Sequence, residues 1–219
     1  MKKVAVILSG AGVFDGAEIH ESVITLLALD RQDAEVRILA PNVPQMHVVN
    51  HLSQQPTDET RNVLVESARI ARGEIKDLAE ANINDFDAVI FPGGFGAAKN
   101  LSDFAVKGAD CSVNPVVEQF VTDGLKAGKV MGFICIAPAL CARIAANADV
   151  HPTLTIGTDQ ATAAAVESVG AHHVNCPVND IVVDEQNKIV TTPAYMLGQR
   201  ISEVAEGIEK LVTKVLQMC

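Results

Sequence analysis

The sequence lacks the marks of several functional classes. No apolar run approaches the ~20 residues that a membrane-crossing helix needs. No basic cluster is present to neutralise nucleic acid or an anionic bilayer, and the formal charge is −10, so neither nucleic acid nor membrane is expected as a partner. The five cysteines, Cys111, Cys135, Cys141, Cys176 and Cys219, are odd in number and contain no CxxC pair. That disfavours a disulfide framework or a structural zinc site and fits a reducing cytoplasm. No HExxH is present. The adjacent His172 and His173 would point to opposite faces of a strand, so they read as surface or strand-edge residues. The glycines of the first turn do not keep G-x-G-x-x-G spacing, and the second strand ends at Ala40-Pro41 without a carboxylate for a ribose. A dinucleotide is therefore not expected, nor any other cofactor or metal. No internal repeat, low-complexity tract or linker interrupts residues 1–219, which read as one domain.

What is present is an alternation of short apolar runs and amphipathic segments. Lys2 and Lys3 ahead of Val4–Leu8 superficially resemble the start of a signal peptide. The run is too short, however, and it leads into Gly10, Gly12 and Asp15, which fits a first strand. Further strands are expected at 35–40, 87–91, 130–134 and 154–157, with a hairpin joining 181–184 to 188–192. Helices are expected at 18–30, 60–72 (capped by Thr57 or Asp58), 75–81, 115–127, 138–147, 160–169 and 199–217, with a small hairpin near 46–52. Strands alternating with helices predict an α/β fold, a doubly wound, mainly parallel sheet with helices on both faces and small antiparallel additions.

Ligands of such folds sit beyond the carboxyl ends of the strands. Three stretches of chemical interest fall there. The run Lys129–Ile134 stops at Cys135 and passes at once into helix-compatible residues with Pro138 in the first turn. A helix start aimed at a sulfur favours thiolate, the attacking form; a buried structural thiol is the plainer alternative. Pro92-Gly93-Gly94 lets main chain approach a ligand closely, and the N–H groups of Gly94 and Ile136 are candidate oxyanion donors. Glu18 and Glu21 lie three apart on the first helix, so either carboxyl is a candidate acid and base for Cys135.

These motifs, with Gly96–Ser102, Gly16–Glu21, Thr60–Leu64, Ala68–Ile75 and Asp180–Met196, resemble the ThiJ/PfpI superfamily, relatives of class I glutamine amidotransferases. The likeness is greater still to its ElbB branch, glyoxalase-like proteins named for enhancing lycopene biosynthesis. The resemblance implies a flavodoxin-like fold, a homodimer, a nucleophile at Cys135 and a first-helix partner, for which Glu21 is favoured over Glu18. It also implies a small dicarbonyl substrate, with Gly93, Glu18, His20 and Asp159 as candidate binding residues. Three departures bear on chemistry. No His-x-Glu follows Cys135 as in amidotransferases, and Ile136 stands where PfpI-type proteases have His. Asp159 stands where several glyoxalase-type relatives have His. His20, beside Glu21, is a candidate by proximity alone. The expected activity is conversion of glyoxal to a hydroxy acid without glutathione. The alternatives are a redox sensor with a low-pKa Cys135 and an amidotransferase-like subunit.

Overall fold

The computed structural model describes all 219 residues. In chain order the strands are β1 (Lys3–Ile7), β2 (Glu35–Ala40), β3 (Val49–Asn50), β4 (Gln55–Pro56), β5 (Lys76–Asp77), β6 (Ala88–Phe91), β7 (Val130–Ile134), β8 (Thr153–Leu154), β9 (His172–His173), β10 (Val182–Asp184) and β11 (Ile189–Thr192). The helices are α1 (Ile19–Asp30), α2 (Val63–Ile70), α3 (Phe95–Lys99), α4 (Phe104–Lys107), α5 (Pro115–Lys126), α6 (Ala137–Asn147), α7 (Gln160–Ser168) and α8 (Ile201–Met218). Seven strands form one sheet in the order β10-β11-β7-β6-β1-β2-β5, and only β10 runs antiparallel to its neighbour. This is the flavodoxin-like arrangement. The chain winds outward from β1 through β2 and β5, then returns to build β6, β7 and β11 on the other side. The switch between β1 and β6 opens a crevice at the carboxyl ends of the central strands.

Period-two side chains divide the central strands between two cores. Val4, Val6, Ala88, Ile90, Val130 and Ile134 face α1 and α8, joined there by Leu29, Val204, Ile208 and Leu211. Ala5, Ile7, Val89, Phe91, Met131 and Phe133 face α5 and α6 and pack on Val117, Phe120, Leu140 and Ile144. Phe91 and Phe133 stack across neighbouring strands with ring centroids 4.9 Å apart. α8 lies close over β7 because Gly132 leaves room: a Cβ there would stand 2.9 Å from Leu211 Cδ2.

Several local expectations change. The helix expected at 60–72 begins at Val63, capped by the Asn62 side chain, which accepts from Val65 N–H. Thr57 instead donates its main-chain N–H to the Val48 carbonyl. The expected helix at 75–81 is a two-residue edge strand followed by a short 3-10 turn, because Lys76 and Asp77 pair with β2 and the Asp77 carboxylate accepts from Ala79 N–H. The hairpin near 46–52 pairs Val49–Asn50 with Gln55–Pro56, and Asn50 Oδ1 accepts from the N–H groups of Leu52 and Ser53 in its turn. The strand expected at 154–157 is confined to Thr153–Leu154 and pairs with β9 outside the main sheet. The short helices α3 and α4 carried no sequence expectation. At the sheet margin β5 covers only Leu39 and Ala40 of β2, leaving Glu35–Ile38 with an open outer edge, where Arg37 pairs with Glu35 at 2.9 Å.

The stacked phenyl pair supports the strands that deliver the two central loops. Phe133→Ala is expected to lower stability by about 3–5 kcal/mol through the cavity it leaves, read as a lower urea midpoint at unchanged slope.

Candidate active site

Cys135 follows β7 directly and has φ +63°. A non-glycine residue in the left-handed region is uncommon, and here the surroundings hold it. Its N–H donates to the Thr192 carbonyl at 2.9 Å, continuing the β7–β11 ladder for one residue, while Ile136 already caps α6. The strand therefore kinks into the helix at the sulfur. Such strained positions concentrate at functional sites. Cys135 keeps 7 % of its surface exposed.

Glu21 comes to this sulfur from the first turn of α1. The side chain is fully buried and lies beside Cys135, the two meeting across Gly93. Gly93 N–H donates to its Oε2 at 2.9 Å and Tyr195 N–H to its Oε1 at 3.3 Å. Gly93 lies against both partners: a Cβ there would stand 2.5 Å from Cys135 Cβ and 2.8 Å from Glu21 Oε2. Gly93 thus positions the carboxyl rather than binding substrate by side-chain contact. Gly94 has φ +91°, and its missing Cβ makes way for the main chain of residues 16–18.

Glu18 is not the sulfur's partner. It is the N-cap of α1, its Oε2 accepting the Glu21 N–H at 2.7 Å while its own N–H donates to the Gly93 carbonyl at 2.9 Å. The loop ahead of it is tied down in turn. Asn100 Nδ2 donates to the carbonyls of Ser9 and Asp15 at 2.8 and 2.9 Å, and Asp15 Oδ2 accepts Val49 N–H at 2.7 Å. Gly10 N–H donates to Ser67 Oγ at 2.9 Å.

Burial dominates the electrostatics. Glu21 is raised to about 8, first by desolvation and then by the charge of Glu18, against hydrogen bonds to Cys135, Tyr195 and Gly93 that favour the carboxylate. The Cys135 thiol is pushed well above its ordinary range by burial, then by the charge and hydrogen bond of Glu21; the N–H groups of Gly94 and Ile136 oppose this. Sequence reasoning from the helix start expects a lowered thiol. Desolvation beside a carboxyl outweighs the two N–H groups, and that expectation is corrected. The two amides proposed as oxyanion donors favour the ionised sulfur. Because the thiol is pushed up further than the carboxyl, Glu21 is the first of the two to ionise.

The remaining candidates separate. Asp159 is exposed and caps α7, accepting Thr162 N–H at 2.8 Å, which holds its carboxyl below the usual range. His20 is exposed on α1, with Nδ1 2.7 Å from the hydroxyl of Tyr195. Tyr195, within the Asp180–Met196 stretch, is the residue to which the sequence reading gave no role. Its signal was available: the chain's one tyrosine stands just beyond β11, at the same end of the sheet as Cys135. A cavity of about 900 Å³ between Leu78–Asn84 and α5 contains none of these residues.

Residues 2–196 match the DJ-1/PfpI family. The chain is 49 % identical over 226 residues to the human glutamine amidotransferase-like class 1 domain-containing protein 3, mitochondrial, spanning 99 % of this chain and 83 % of the relative. The rat ES1 protein homolog, mitochondrial, is 48 % identical, with 99 % and 84 % covered. Among solved structures, an isoprenoid biosynthesis protein with an amidotransferase-like domain from Ehrlichia chaffeensis superposes with a TM-score of 0.94 at 34 % identity, covering 100 % of this chain and 99 % of the other.

A buried carboxyl raised above its unfolded value of 4.5 works against the fold as pH rises. The unfolded chain releases this proton first, so stability falls between pH 4.5 and about 8. Glu21→Gln removes that cost, on the order of a few kcal/mol, and forfeits the long Tyr195 bond. A higher melting temperature is expected for the variant at pH 8, with the advantage shrinking toward pH 4 in paired thermal scans.

Proposed function

The chain belongs to the DJ-1/PfpI family, and on that premise we propose that it is a cofactor-independent cysteine enzyme of glyoxalase type. It converts glyoxal or a related small dicarbonyl to a 2-hydroxy acid without glutathione. The observation that carries this reading is the buried Cys135–Glu21 pair at a strained strand–helix elbow. In its singly protonated form the pair is a thiol with a carboxylate base beside it. Sulfur adds to one aldehyde carbon as its proton passes to Glu21 and from there to the new alkoxide, giving a hemithioacetal and a Glu21 carboxylate. That carboxylate removes the C–H proton from the sulfur-bearing carbon. A proton returns to the second carbon, and the product is a hydroxyacyl thioester, an isomer of the hemithioacetal. Water then adds to the acyl carbon, the C–S bond breaks, and sulfur leaves with the electron pair. The Gly94 and Ile136 N–H groups, which favour the ionised sulfur, are the donors this reading assigns to the oxygen that becomes negative on the attached carbon.

The raised thiol and small exposure of Cys135 weigh against the redox-sensor alternative, whose premise is an accessible low-pKa thiol. An amidotransferase role needs a triad histidine, and no His-x-Glu follows Cys135 in the chain. Repair of glycated groups would use the same thiol chemistry, and a link to isoprenoid synthesis is suggested by the name of the Ehrlichia protein. All five thiols are free, which suits a reducing compartment: the cytoplasm, or the mitochondrion that the relatives' names give. No helix is long and apolar enough to cross a membrane. A homodimer belongs to the same proposal, and Ile19, Val23 and Leu27 form an exposed apolar stripe on α1 available to it.

Glycolate formation from glyoxal tests this directly. Wild type is expected to turn over at a rate that rises with pH through about 8, as the pair loses its first proton. Cys135→Ala should fall to background, and glutamine should not be hydrolysed by either. Turnover that survives Cys135→Ala, or a wild type inert toward dicarbonyls, overturns the assignment.

A further inference from the structure

We propose that Glu18 and Glu21 together form a charge filter over Cys135: uncharged carbonyl compounds enter, and those bearing a carboxylate or phosphate beside the reacting carbon are turned away. Glu18 is then a specificity-determining residue as well as a helix cap. The inference rests on the dicarbonyl reading above and deepens it, narrowing the substrate class to uncharged molecules. It also bears on the product. A hydroxy acid acquires its carboxylate on the carbon that was bound to sulfur. Hydrolysis therefore creates an anion beside two acidic side chains, and repulsion speeds its release.

Two buried carboxyls stand at this site without a cation to offset them. Glu18 Oε2 accepts the Glu21 N–H at 2.7 Å, and the Glu18 N–H donates to the Gly93 carbonyl at 2.9 Å. Gly93 in turn lies against both Cys135 and Glu21, so the two acids and the sulfur share one glycine. None of the molecule's ion pairs includes either carboxyl. Lys99 of α3 is engaged elsewhere. Its Nζ donates to the Phe14 carbonyl at 2.9 Å and stands 5.1 Å from the Phe95 ring centre, and Asp15 is the acid whose charge acts on it. His20 is exposed, with Nδ1 hydrogen-bonded to the Tyr195 hydroxyl at 2.7 Å.

The ionisable groups around the site feel this unbalanced charge. After burial, the charge of Glu18 opposes ionisation of Glu21, that of Glu21 opposes ionisation of Cys135, and both oppose ionisation of Tyr195. What works the other way at Cys135 and Glu21 is hydrogen bonding, not a lysine or arginine. The N-terminus of α1 and the amides of Gly94 and Ile136 do favour negative charge, yet at the sulfur burial and Glu21 outweigh those amides. An incoming carboxylate, one bond from the carbon that sulfur attacks, meets the same balance. At the effective dielectric of a site near the surface, one unit charge a few ångströms away changes an association constant by about tenfold.

Glu18→Gln separates charge from capping, because the amide oxygen can still accept the Glu21 N–H. A matched pair of alkylating reagents reads the filter without any turnover: iodoacetamide is neutral, iodoacetate anionic, and sulfur displaces iodide from both. Rates at Cys135 are followed by peptide mass mapping at about pH 8.5, where imidazoles are neutral. Taking the ratio of the two reagents cancels the fraction of thiolate, and 2-mercaptoethanol supplies the reference ratio. Wild type is expected to prefer iodoacetamide about tenfold more than the reference does, and Glu18→Gln to lose at least about threefold of that preference. In turnover, glyoxylate and glycolate should inhibit the variant at least about threefold more tightly, relative to its KM for glyoxal, than they inhibit wild type. The pH–rate midpoint of the variant should move below about 8, since the charge of Glu18 helps to hold Glu21 up. A Cys135 ratio equal to the reference, or a preference and inhibition unchanged by Glu18→Gln, overturns the filter and leaves the dicarbonyl assignment standing. A preference that Glu18→Gln relaxes in a protein that turns over no dicarbonyl removes the assignment and keeps the filter. Should neither reagent reach Cys135, the inhibition by glyoxylate and glycolate decides.

Discussion

A carboxyl and a thiol buried side by side must hold at least one proton between them, and the architecture around the crevice serves that constraint. Neither group is placed by its neighbours in sequence. Glu21 comes from the helix after β1 and Cys135 from the end of β7, with the Gly93 loop of β6 between them. Sheet order alone brings these elements together, because β6 lies between β1 and β7. The close approach is possible because Gly93 and Gly94 present bare main chain where any side chain would collide. Desolvation then raises both groups, and proton sharing becomes the low-energy way to keep them buried.

This pair gives an unusual distribution of cost. Stability is spent at Glu21 and at the strained Cys135 main chain, and the two cores on either side of the sheet supply it. The supporting hydrogen bonds form an ordered series: Asn100 and Ser67 fix the first loop, the loop fixes Glu18, and Glu18 caps the helix turn that carries Glu21. Rigid support of this kind keeps a reactive geometry from relaxing into a more comfortable one.

Much of this was legible in the sequence, for identifiable reasons. The central strands were visible because alternating apolar residues must fill two separate cores, as Val4/Ala5 and Ile90/Phe91 do. Cys135 was visible because a strand stopped at it, and Glu21 because helical spacing put it with Glu18. The protonation of the pair was not legible, since it depends on burial that only tertiary packing creates. Sequence likewise suggested the amides of Gly94 and Ile136 but not that burial of the sulfur outweighs them. Tyr195 was hidden for a topological reason: it is 174 residues from Glu21 and meets it only after the last crossover. Short edge elements were misplaced because pairing with β2, rather than local propensity, decides residues 76–77.

The open flank of β2 has a consequence for the molecule in a crowded solution. An unpaired strand margin is a template on which another chain can add a rung. Here the uncovered stretch is short and bears Glu35 and Arg37, which neutralise each other within the molecule. A visiting strand would have to bury those charges or break their contact before gaining its ladder. Opposite charges on a bare margin therefore resist the stacking that leads to fibres, without a further strand to seal the sheet.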